Sequence, residues 1–76
     1  SNTIKLYPNP ANNILNITSA DLISQVEIFS LTGAKVLNIK SASRNFRRNI
    51  SELNSGIYVV KVYSEKGITT LKLVVQ

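Results

Sequence analysis

The chain has 76 residues, no cysteine and no histidine, and nine Lys or Arg against four Asp or Glu, for a formal charge of +5. That length holds one domain with one small core, and the missing Cys and His exclude disulfide staples, thiolate or imidazole metal sites, and Cys-His or Ser-His nucleophile pairs. The basic balance favours anionic neighbours, and it serves equally to keep a small β domain soluble and its edges unpaired.

Residues 1 to 3 read as a linker or expression remnant and residues 4 to 76 as the domain. No charged segment followed by an apolar run opens the chain, so it reads as a fragment of a longer protein whose export signal lies upstream. No apolar run approaches the roughly 18 residues of a membrane-spanning helix. A first short strand covers Ile4 to Tyr7 and must end or lie on an edge at Tyr7-Pro8-Asn9-Pro10, because neither proline can donate a ladder hydrogen bond. Asn9, Asn12 and Asn13 are expected to bond local backbone and shape the turn into Ile14.

Leu15-Asn16-Ile17 and Val26-Glu27-Ile28 alternate apolar and polar residues as half-buried strands do, with Glu27 expected in water. Ser19 to Ser24, between them, reads as a loop. Thr32-Gly33 reads as a hairpin turn into Val36 and Leu37, and Phe46 to Ile50 as a weaker strand interrupted by Arg47 and Arg48. The strongest strand is Ile57 to Tyr63. It sends Tyr58, Val60 and Val62 to the core and leaves Ile57, Val59, Lys61 and Tyr63 outside. Glu65-Lys66-Gly67 turns the chain into a last strand with Leu71, Leu73 and Val75 inward and Lys72 and Val74 outward. About seven short strands with turns between them predict an all-β fold, a small antiparallel sandwich of immunoglobulin-like type.

Three strings stand out. In Tyr7-Pro8-Asn9-Pro10 the prolines make a rigid strand-end corner. In Leu53-x-x-Gly56-x-Tyr58, Leu53 is expected to plug the end of the fold, Gly56 to allow a tight approach to the strand, and Tyr58 to bury its ring with its hydroxyl on backbone. The third is the terminal Lys72-Leu73-Val74-Val75. In this order, with the Gly33 hairpin between them, these strings resemble the type A C-terminal sorting domain of the type IX (Por) secretion system. The resemblance covers roughly residues 4 to 76. Ser30, where the family often has Asp or Asn, and Ala34, between Gly33 and Lys35, depart from its pattern at turn positions.

The resemblance implies an address tag at the end of proteins exported by Bacteroidetes-type bacteria. Its implied partners are the outer-membrane translocon and a sortase-like protease that removes the tag, with anionic lipopolysaccharide as a further partner of the anchored cargo. The implied route runs through the periplasm to the cell surface or medium. Tyr7, Pro8, Asn9, Pro10, Gly33, Leu53, Gly56 and Tyr58 then carry the family pattern and maintain shape. Lys72 and Val74, or the open backbone edge of the last strand, become the surface the machinery reads.

The residues exclude or weaken other readings. The four carboxylates Asp21, Glu27, Glu52 and Glu65 are scattered, and no Gly-rich phosphate loop follows a strand, so no catalytic site, cofactor or metal is expected. Lys40, Arg44, Arg47 and Arg48 form the one charge cluster, but Phe46 is its lone aromatic, so no specific nucleic-acid partner is expected. The sites at Asn16 and Asn49 that fit the N-glycosylation pattern are chance matches. A monomer is expected. The alternative to a sorting tag is an accessory spacer or sugar-binding sandwich, for which Tyr63 supplies the one outward aromatic on the best strand.

Overall fold

A computed structural model describes residues 3 to 76; the linker assignment at Ser1 and Asn2 lies outside the described residues. Five strands follow one another: β1 (Lys5–Tyr7), β2 (Ile14–Ser30), β3 (Lys35–Asn49), β4 (Gly56–Ser64) and β5 (Gly67–Val75). All pairings between strands are antiparallel, within one curled sheet.

This corrects the expectation of a seven-strand immunoglobulin-like sandwich, and the reason is the length of two strands. β2 runs for 17 residues and β3 for 15, each joining two segments that the sequence separates. The expected loop from Ser19 to Ser24 is strand, and so is the stretch joining Val36 to Phe46. What the polar run in β2 marks is a change of register: the β2–β3 pairing shifts between Thr18 and Ile23 and again between Ile23 and Gln25. Bulges of this kind bend a strand and increase its twist without ending it.

The bend lets β2 serve two neighbours along one edge. β1 pairs with its start, Leu6 opposite Ile17, and β4 pairs with its end, Ile28 opposite Val60. β3 runs along the other edge of both halves. β5 then adds to β4, and the curl closes where Ala11 bridges Val75 in parallel.

Inward-facing residues from both halves of β2 meet in one core. Leu15, Ile17, Ile23, Val26, Ile28, Ile50, Val60, Val62 and Leu73 are fully buried, with Phe46, Tyr58, Val75 and Ala11 beside them. The alternation expected for β4 and β5 holds, although Leu71 only packs partly buried against the cluster. Leu53 packs there too, as expected for a plug. The Thr32-Gly33 hairpin forms as expected, and Gly33 has a φ of 92°, which side chains rarely tolerate. β3 shows the opposite character: lysine, arginine and asparagine fill most of its exposed positions, and the charge among them blunts the pairing tendency of a sheet edge.

Candidate recognition surface

The two proline-flanked and terminal strings, far apart in sequence, meet in space. β1 stops at Tyr7, and the chain passes through Pro8 and Pro10, both after cis peptide bonds, to run beside the end of β5. Here Asn9 behaves differently from the expectation. Its side chain does not shape a local turn; it reaches across the molecule to the last strand. The Asn9 amide Nδ2 donates to the Lys72 carbonyl at 3.0 Å, and the Val74 N–H donates to Asn9 Oδ1 at 3.0 Å. Two residues on, the Ala11 N–H donates to the Val74 carbonyl and the Gln76 N–H to the Ala11 carbonyl, each at 2.8 Å.

One carboxamide, with its donor and acceptor side by side, thus stands in for a neighbouring strand. The proline on either side of Asn9 brings no N–H that would need a partner at this edge. The outer edge of β5 from Lys72 to Gln76 is therefore occupied. The expectation of an open backbone edge along the whole last strand is corrected for this half.

The other strings gather at the same end. Ser30 lies opposite Tyr58 and Gly56 opposite Val75, which brings the start of β4 and the Gly33 hairpin to the end of β5. Tyr58 buries its ring and donates its hydroxyl to the Asn54 carbonyl at 2.7 Å, as expected. Gly56 opens β4 beside that ring, 4.0 Å from where its own Cβ would stand. Lys72 and Val74 turn their side chains to the outer face, Lys72 exposed and Val74 half-buried.

That outer face continues across β4, β2 and β3. Lys72 lies opposite Val59, and Val59 opposite Phe29; Val74 lies opposite Ile57. In the next row Glu27 faces the outer side as expected, but it is not in water: only 6% of it is exposed. The Lys35 ammonium sits 2.8 Å from Glu27 Oε2, and the Tyr63 hydroxyl donates to Glu27 Oε1 at 2.5 Å. These partners cover the carboxylate, and no buried side-chain N or O atom among the described residues lacks a bond.

The Lys35 and Tyr63 bonds hold the Glu27 carboxyl below its ordinary value, against burial acting the other way. The same contact, with burial, pushes the Tyr63 hydroxyl up. Tyr63 is thus half-buried with its hydroxyl committed to Glu27, which leaves little of the free platform that a sugar-binding reading needs.

A family model for secretion-system C-terminal sorting domains matches residues 5–76. The chain belongs to that family. No curated protein matches it. As a sorting domain of the type IX system it is a C-terminal secretion signal, for export across the outer membrane to the surface or beyond, and its family is not an enzyme family. The accessory-spacer alternative is not favoured. Among the described residues no three potential metal ligands cluster.

Of the basic cluster, Arg44 donates to the Ala20 carbonyl at 2.9 Å and Arg48 pairs with Glu52 at 3.1 Å, so two of its members are engaged locally. The sequence reading gave Phe29, Lys35 and Lys61 no part in the site. The lone asparagine between two prolines was the available signal for the clasp. Lys35 was readable in part, since the Gly33 hairpin folds it back beside β2. Lys61 was not, because β2 and β4 are not consecutive in the chain.

Proposed function

We propose that residues 4 to 76 act as a type A sorting domain that is recognised folded. Passing through the periplasm, it takes an attached cargo to the outer-membrane translocon and is then removed by a sortase-like protease. The cargo is joined to anionic lipopolysaccharide or released. The domain itself is a monomer without catalytic function, and its basic surface binds polyanions weakly and with no sequence preference. The family match over nearly the whole chain carries this reading.

Tyr7, Pro8, Asn9, Pro10, Gly33, Leu53, Gly56 and Tyr58 act in it by building one end of the sheet. Lys72 and Val74 are the contact residues, because their backbone is held by Asn9 while their side chains stay on the outer face.

The test is a passenger with a signal peptide and this domain, expressed in a type IX-competent cell. It should reach the surface or medium, and the passenger without the domain should stay in the periplasm. Normal export without the domain would end the address-tag reading. Changing Lys72 and Val74 together, with the melting temperature unchanged, should impair export; normal export of that stable variant would remove these two residues from the contact.

A further inference from the structure

The outer face of a half-solvated antiparallel sheet is ordinarily polar. Here its centre is apolar. The cross-strand registers set Phe29, Val59, Ile57 and Val74 side by side over β2, β4 and β5, with Ile57 41% exposed.

Lysines surround this strip. The Lys61 ammonium lies over the Phe29 ring at 5.3 Å from its centroid and that of Lys35 at 5.9 Å, which places both charges at the Phe29 end of the strip. Lys72 stands opposite Val59 on the far side. One carboxylate does not balance three lysines: Glu27 neutralises Lys35 and leaves Lys61 and Lys72. Glu27 is the one acidic residue in these rows, and its oxygens are taken by Lys35 and Tyr63. Lys61 and Lys72 form no ion pair among the described residues. Glu52 pairs with Arg48 instead, and Glu65 lies in the β4–β5 turn.

We propose that this face docks the domain onto a protein surface of complementary chemistry, an apolar centre rimmed by carboxylates. Interfaces combine a desolvated apolar core with a charged rim that steers encounter and rejects like-charged partners. A protein fits better than a lipid bilayer because the strip lies flat in the pleat: Phe29, Val59 and Val74 are half-buried between their neighbours and do not project into acyl chains. That this partner belongs to the export apparatus rests on the sorting reading above; the chemistry of the partner rests on the face alone.

The test keeps those two apart. In the passenger fusion, Ile57→Thr with Val59→Thr removes apolar contact while keeping β-branched strand formers, and Lys61→Gln removes rim charge. Both variants should keep the wild-type melting temperature, and export should fall roughly tenfold in each, as when one interface anchor is lost. A photo-crosslinking residue at position 57 in an otherwise unchanged domain should form an adduct in cells whose partner peptide is rich in Asp and Glu, independent of any variant's folding.

Normal export of both stable variants while the domain-less passenger is retained would overturn the docking face and leave the sorting reading standing. A crosslink to a basic or uncharged surface would overturn the proposed chemistry. Binding of the purified domain to anionic phospholipid vesicles that is lost in the Ile57→Thr/Val59→Thr variant would overturn it in favour of lipid.

Discussion

The two halves of the β5 edge meet different neighbours. From Lys72 to Gln76 the edge is sealed by Asn9 and Ala11. Around Ile68 and Thr70 it borders a groove of about 350 Å³, lined also by Thr3, Ile4 and Lys66. A bare strand edge invites pairing with other chains, and proteins blunt it with charge, proline or a covering segment. This domain covers the C-terminal half with a proline-rich segment too short to be a strand. An asparagine side chain supplies the ladder contacts that its neighbouring prolines cannot. The difference teaches that the proline-flanked string and the end of the last strand form one structural device, which holds the final residues in place and leaves their outer side chains accessible.

The largest expected effect tests whether the sealed end depends on the core beneath it. Leu73 is fully buried between Lys72 and Val74. Truncating a buried leucine costs about 2–5 kcal/mol, against a total of roughly 4–11 kcal/mol for a chain of this size. Leu73→Ala should leave much of the protein unfolded at 37 °C, and an unaffected thermal melt by circular dichroism would contradict the packing described here.

Removing the clasp alone is milder. Asn9→Ala orphans the Val74 N–H and the Lys72 carbonyl, which water partly satisfies at this exposed edge, so the loss should be about 1–2 kcal/mol in chemical denaturation. Exchange protection of the Val74 amide should fall with it. The matched change at the groove, Thr70→Ala, should stay within about 0.5 kcal/mol. Equal effects at both positions would erase the distinction between the two halves.

Tyr58→Phe removes the hydroxyl bond to the Asn54 carbonyl and nothing of the ring. About 0.5–1.5 kcal/mol should be lost, with the fold retained.

The smallest effect is a pH signature from the outer face. Glu27 is held below its ordinary 4.5, so its contribution to stability is complete above that pH and is lost as pH falls through the lower folded value. Tyr63 is pushed above its ordinary 10.0, so its contribution is complete below that pH and is lost as pH rises through the higher folded value. Tyr63→Phe should flatten the alkaline flank and weaken the acid one. Glu27→Gln should flatten both, and a variant with unchanged flanks would show that the contact does not form in solution.

Much of the fold was legible because period-two alternation is a local signal. It placed Tyr58, Val60, Val62, Leu73 and Val75 inward and Lys72 and Val74 outward, and the residues of the Gly33 turn announced the hairpin. Strand count was less legible. Ser19 to Ser24 is polar enough to resemble a loop, and a bulge inside a continuous strand leaves the same trace as a break between two strands. Glu27 was placed on the correct face but in the wrong medium. Alternation gives the direction of a side chain, and what lies above it depends on strands whose order the chain does not reveal.

By itself, then, the sequence determined that the chain is all-β, which face of each strong strand is buried, and that its terminal strings resemble those of sorting domains. These follow from backbone geometry and side-chain chemistry acting over a few residues. Only the tertiary structure decided that β2 is shared between β1 and β4, that Asn9 bonds to Lys72 and Val74, and that Lys35, Lys61 and Lys72 ring one apolar strip. Those contacts join residues distant in the chain, and they exist because burying both halves of β2 in one small core requires the sheet to curl until its ends meet.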